Sequence, residues 1–107
     1  VSGIEKMRGN SDFMPLTPER AEVVGLKALG WLAANDDLLP SFLNASGASI
    51  SEVRDRASDP SFLGAVLDFL MMDDAWVMGF CQAQGLGFDQ PMRARAGLPG
   101  GEAVHWT

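Results

Sequence analysis

The sequence predicts an all-α fold, a compact bundle of about six helices. Three observations carry this. Cap-plus-proline signals open helices at Thr17-Pro18 and Asp59-Pro60, and a capping box sits at Ser49 with Glu52. Apolar residues recur at helical spacing between those signals. No segment of any length alternates apolar and polar residues with the period of two that a half-buried strand requires.

The first helix begins at Thr17, a cap followed by a first-turn proline and by Glu19 beside the positive helix end. At 100° per residue, Ala21, Val24, Gly25, Ala28, Leu29, Trp31 and Leu32 share one broad face, with Val23, Lys27, Gly30 and Ala34 opposite. Asn35-Asp36-Asp37 stops this helix and caps the second, whose apolar residues are Leu38, Leu39, Phe42 and Leu43. Pro40 is tolerated there because it lies in the first turn, where backbone donors are free in any case. Gly47 ends the second helix as a left-handed residue. The capping box at Ser49 opens a short third helix over about 50–57, and Asp59-Pro60 opens the fourth. Asp73 or Asp74 caps a fifth helix, which Gly85 closes with Leu86 placed for an apolar contact; a sixth covers about 89–97.

An internal repeat stands out. A shift of 38 residues brings Leu29 onto Leu67, Leu32 onto Leu70, Asp36 onto Asp74, Phe42 onto Phe80, Ala45 onto Ala83 and Gly47 onto Gly85. One further inserted residue brings RDRA at 54–57 onto RARA at 93–96. Each half reads as helix, acidic cap, second helix, glycine, short arginine-bearing helix. Two copies are too few for a solenoid, which needs at least about three stacked units. The expected architecture is therefore two pseudo-symmetric three-helix halves, about 17–58 and about 59–98, within one helical domain of residues 17–98. Residues 1–16 and 99–107 read as flexible tails, the second beginning at Pro99-Gly100-Gly101.

Length and charge bound the function. With 107 residues the chain has room for one domain, and 47% hydrophobic residues is too many for a disordered chain. No run approaches the roughly 18 apolar residues of a membrane span, and VSGIEKMRGNSDFM has no apolar core of signal-peptide length. A formal charge of −6 disfavours nucleic acid as the main partner. The single cysteine, Cys81, staples nothing within the chain and suits a reducing cytosol, so the expected location is cytoplasmic.

Catalytic chemistry is thin, and the expectation is a non-enzymatic protein with no cofactor and no metal. His105, the only histidine, lies beyond the Pro-Gly-Gly break. Cys81 has no basic neighbour on its apolar helix to lower its pKa and reads as a small core residue. Asp36, Asp37, Asp73 and Asp74 occupy equivalent turns and would suit a hard cation if the two-fold gathered them. Helix capping accounts for them without a metal. No zinc spacing and no phosphate-cradling glycine loop occurs.

Residues 43–53 resemble the turn of a helix-turn-helix, with Gly47 at the turn, Ser49 as cap of a recognition helix over about 50–57 and Val53 as its anchor. Leu43 stands where that motif has a small residue. Glu52 and Asp55 would repel phosphates, and Arg54 and Arg56 point to nearly opposite sides. The stretch from about Ala28 to Leu98, with SDPSFLGAVLDFLMMDD at 58–74 as its most characteristic part and RARAGLP at 93–99, resembles a family of short alphaproteobacterial proteins, the domain-of-unknown-function family numbered 3572. The resemblance implies a cytosolic protein of unassigned activity and brings no catalytic residues with it.

The remaining signal is an excess of apolar surface. On the fourth helix only Gly64 and Asp68 are left for a polar sector, and on the fifth Trp76, Val77, Met78, Phe80 and Cys81 wrap nearly all round. Helices apolar all round must be covered on nearly every side, which is difficult in so small a globule. Either the first and third helices close over them or a second molecule does. The expected function is a protein–protein interaction module or homodimer, with Phe69, Met72, Trp76 and Met78 as the partner-binding residues and arginines at the rim. The alternatives are the helix-turn-helix nucleic-acid binder and a carrier with an apolar pocket between the halves.

Overall fold

Four of the six helices begin at a side-chain cap that the sequence announces. The computed structural model describes residues 15–99, and among these there are six helices and no strand. They are α1 (Pro18–Ala34), α2 (Leu38–Ser46), α3 (Ile50–Arg56), α4 (Pro60–Leu70), α5 (Asp74–Gln84) and α6 (Gln90–Ala96). Thr17 Oγ1 accepts from the Arg20 N–H at 3.3 Å, Asp59 Oδ1 from Ser61 at 3.0 Å and Asp73 Oδ1 from Ala75 at 2.8 Å. At α3 the capping box is complete: Ser49 Oγ accepts from the Glu52 N–H, and Glu52 Oε1 accepts from the Ser49 N–H. Gly47 and Gly85 both close their helices at positive φ, 75° and 70°, where a side chain would be strained.

α1 is the central element, packed mainly on α4 and α6. Its buried residues are Ala21, Val24, Gly25, Ala28, Leu29 and Leu32, with Trp31 half-buried, so the broad face expected from the helical period is the face that packs. α4 contributes Phe62, Leu63, Val66, Leu67, Phe69 and Leu70. The two helices approach closely at Gly25, where an added Cβ would lie 2.9 Å from Leu63 Cβ. An aromatic chain crosses the core: Phe62 meets Phe42 at 5.8 Å, Phe42 meets Phe69 at 5.3 Å, and Phe69 stacks on Trp76 at 5.0 Å between centroids. Such edge and offset contacts add to the stabilisation from burial.

Two features depart from expectation. α4 is covered mainly by α1, α2 and α6, and α3 contributes only the Arg56 side chain, which lies over the Phe62 ring. Gly64, read as part of a polar sector, is buried, because the Arg95 guanidinium lies on it while Arg95 Nε donates to Asp68 Oδ1 at 2.7 Å. Leu32 and Leu70, and Phe42 and Phe80, are equally buried, and the two glycine stops share one backbone conformation. The two short helices pack differently: α6 buries Pro91 and Ala94, whereas α3 buries no residue.

Ordered packing reaches Leu16, which rests on the core and donates its N–H to the Arg93 carbonyl at 3.0 Å. Residues 1–14 and 100–107, including His105 and most of both expected tails, lie outside the described residues.

Candidate functional site

With α6 drawn onto α1 and α4, α3 is left standing away from α1, and a groove opens between them. On α1, Leu26, Leu29, Gly30 and Ala33 face it, at the spacing i, i+3, i+4 and i+7 that defines one stripe of a helix. On α3 and just beyond, Ile50, Val53, Arg54 and Ala57 face it at the same spacing, and Leu39 of α2 closes one side. The α1 stripe runs beside the buried face, so Leu29 sits at the bottom while Leu26 stays 51% exposed. Across the groove Ile50 is 53% exposed, because it occupies the first position of α3 with nothing beyond the Ser49 cap to cover it. The groove encloses about 390 Å³ and lies open along its length.

Arg54 is its only charged lining residue. Arginines end α3 and α6 because cations favour the negative helix end, and three of the four are engaged. Arg56 lies over the Phe62 ring, 4.8 Å from the centroid, and reaches Asp59 at 3.8 Å. Arg93 pairs with Asp89 at 3.2 Å and Arg95 with Asp68. Arg54 has no ion pair among the described residues.

The four residues expected to bind a partner are not brought together. Phe69 is 7% exposed, clasped between Phe42 and Trp76, and so is withdrawn from the surface. Trp76 is half-buried on top of it. Met72 is 73% exposed at the α4–α5 turn and lines a second groove of about 300 Å³ between α2 and α4, with Phe42, Ala45 and Phe69. Met78 is exposed on the outer side of α5, about 200° round the helix from Trp76. The larger groove escaped the sequence reading, which placed Gly30 opposite the packing face of the first helix and gave Val53 only the part of a buried anchor. The signal that marks it is the second stripe on α1, Leu26-Leu29-Gly30-Ala33, which matches Ile50-Val53-Arg54-Ala57 in spacing.

Other chemical candidates recede. Cys81 is fully buried, its Sγ–H donates to the Gly87 carbonyl at 3.4 Å, and burial together with the Asp89 carboxylate pushes its pKa up, which leaves the thiol protonated and unreactive at neutral pH. No three His, Cys, Asp or Glu side chains gather to hold a metal ion among the described residues, and Asp73 serves as the α5 cap. No helix among them is long and apolar enough to cross a membrane.

A family model described as "Protein of unknown function (DUF3572)" matches residues 18–101. The chain belongs to this family. The match begins with α1 and runs past α6, so every wall of the groove lies inside the stretch that defines the family. No curated protein and no solved structure matches the chain.

Proposed function

We propose that this protein is a non-enzymatic binding module of the cytoplasm that engages another protein through the groove between α1, α2 and α3. The observation that carries the proposal is the pair of facing apolar stripes, with Leu26 and Ile50 about half exposed across an open groove. Contiguous exposed apolar surface of this kind marks interaction sites more often than chance scatter does. Arg54 at its edge supplies orientation more than affinity. The second groove beside Met72 offers less: it is lined by Phe69, already held by the core, and by Asp68, taken up by Arg95. A nucleic-acid reading through α3 draws less support, since Arg56 is folded onto Phe62 and Asp59, and Glu52 and Asp55 flank Arg54.

The test is site-specific photo-crosslinking of the full chain in its native lysate, with the reactive side chain at position 50 or at position 82, where exposed Gln82 lies on α5 well away from the groove. A discrete polypeptide adduct at position 50, absent at position 82 and abolished by Leu26→Ser, is expected. Adducts to nucleic acid, or equal labelling at both positions, would refute the reading.

A further inference from the structure

We infer that the groove receives one amphipathic α-helix of the partner, about two turns of it in contact, with a carboxylate on that helix meeting Arg54; this rests on the interaction reading above.

Backbone chemistry favours a helix as the occupant. The long wall of the groove is a flank of α1 well inside a 17-residue helix, where backbone N–H and C=O groups are spent on the helix itself and are not offered to an incoming chain. An extended segment laid there would bury unpaired N–H and C=O groups, whereas a helix arrives with its own satisfied. From Leu26 to Ala33 the stripe is about 10 Å long, which is two helical turns and matches anchors at i, i+3 or i+4, and i+7.

Gly30 points the same way. Glycine inside a helix lowers helix stability, and the other helical glycines of the described chain each have an internal reason. A Cβ at Gly25 would meet Leu63 at 2.9 Å, at Gly64 the Arg95 guanidinium at 2.9 Å, and at Gly79 the Trp31 ring at 3.2 Å. At Gly30 it would meet nothing within 4 Å and would point into the groove. A glycine with no neighbour inside the chain provides for close approach from outside, as helices packing through small residues do.

Charge adds to this. In a chain of net charge −6, Arg56, Arg93 and Arg95 have each found an aspartate, while Arg54 has no ion pair among the described residues and lines an apolar wall. The complementary group is a carboxylate. A second copy of the globule fits less well, because a stable interface takes about 20–30 residues from each side and the groove presents nine. A small apolar acid fits less well too, since such sites enclose most of their ligand.

The probe is a panel of hydrocarbon-stapled helical peptides of about four turns, with leucines at i, i+4 and i+7, alanine toward Gly30, and one glutamate moved through the polar positions. Fluorescence anisotropy against the full chain should find one peptide that binds, with its glutamine counterpart about three- to fivefold weaker, as a rim ion pair gives. Arg54→Gln should remove that preference and leave the glutamine peptide's affinity unchanged. Gly30→Leu should abolish binding while leaving the unfolding midpoint unchanged or higher, so that loss of binding is not loss of fold. No binding by any peptide, unchanged binding to Gly30→Leu, a glutamate preference that survives Arg54→Gln, or saturation by decanoate instead would overturn the inference. Position-50 crosslinking to a proline-broken, non-helical segment would overturn it while leaving the interaction reading intact; absence of any site-specific adduct would end both.

Discussion

The same substitution made five residues apart on one helix should change stability in opposite directions. Gly25 and Gly30 both lie inside α1, and replacing either by alanine removes the backbone entropy cost of glycine, worth about 1 kcal/mol in favour of the helix. At Gly30 the new methyl group meets nothing within 4 Å, so the full gain of up to about 1 kcal/mol is retained. At Gly25 it would sit 2.9 Å from Leu63 Cβ and 3.6 Å from Leu63 Cγ, closer than carbon atoms tolerate. α1 and α4 must then move apart along a seam that includes Val24, Ala28, Val66 and Leu67, all buried. Overpacking of this kind costs about 1–3 kcal/mol, so the net effect of Gly25→Ala is a loss of up to about 2 kcal/mol. The two variants should differ by about 1–3 kcal/mol in total. Urea denaturation followed by tryptophan fluorescence reads the difference directly, with Trp31 and Trp76 reporting from either side of the core. The slope of the transition should stay constant, so that the midpoint alone carries the change. A Gly25→Ala midpoint at or above wild type would show that α1 and α4 do not meet at this glycine. A lowered Gly30→Ala midpoint would show that position 30 is packed rather than open.

Phe80→Ala and Leu67→Ala should each cost about 2–5 kcal/mol in chemical denaturation, since both side chains are wholly buried and neither site can refill from solvent. Ser49→Ala removes the Oγ that accepts from Glu52 and half of the α3 capping box, for a loss of about 1 kcal/mol; Ser51→Ala, exposed and inside the same helix, serves as the neutral control. Cys81 gives a pH signature. Its folded pKa is raised by burial and by Asp89, so the unfolded chain ionises first. Stability is therefore full below the ordinary thiol value of about 8.5 and falls as pH climbs from there through the folded value. Cys81→Ala should flatten that part of the midpoint–pH profile, and an unchanged slope would mean that another group governs it.

What was legible in the sequence was local. Thr17, Ser49, Asp59 and Asp73 cap because the donors they satisfy lie two or three residues away, and Gly47 and Gly85 stop helices because only the next few residues decide a left-handed turn. The buried stripe of α1 was legible for the same reason, being a matter of period. The choice between α3 and α6 as the cover for α4 was not. RDRA and RARA look alike, and the difference between them is made by contacts across the chain: Arg95 reaches Asp68 and lies on Gly64, and Gly97 fits beneath the Leu16 carbonyl. The third-helix arginine that corresponds to Arg95 is Arg56, and its carboxylate is Asp59, three residues on, so its ion pair ties α3 to the turn that follows, while its guanidinium lies over Phe62 at the start of α4.

That one difference relocates the exposed apolar surface. Apolar side chains on α4 and α5 exceed what two short helices can cover, and the sequence leads one to look for the uncovered remainder there. Once Arg95 and Leu98 hold α6 down, however, Phe69 is sealed by Phe42 and Trp76, and α4 keeps only Ser61, Ala65 and Asp68 in solvent. The helix that packs least is then α3, with no buried residue of its own, and what it leaves uncovered is the flank of α1 that carries Leu26 and Gly30. The groove is thus a consequence of how α6 closes on α1 and α4, and a variant that loosens α6 should disturb it. Arg95→Met, which keeps the packing over Gly64 and removes the bonds to Asp68 and the Pro99 carbonyl, isolates that link. With the ion pair partly exposed, its loss should cost about 0.2–1 kcal/mol, so the domain stays folded. If the seating of α6 on α1 and α4 sets where α3 lies, hydrogen exchange should quicken in α6 and at the α3 amides together while the centre of α1 stays protected. Faster exchange confined to α6 would show that the groove is set by α2 and α3 alone.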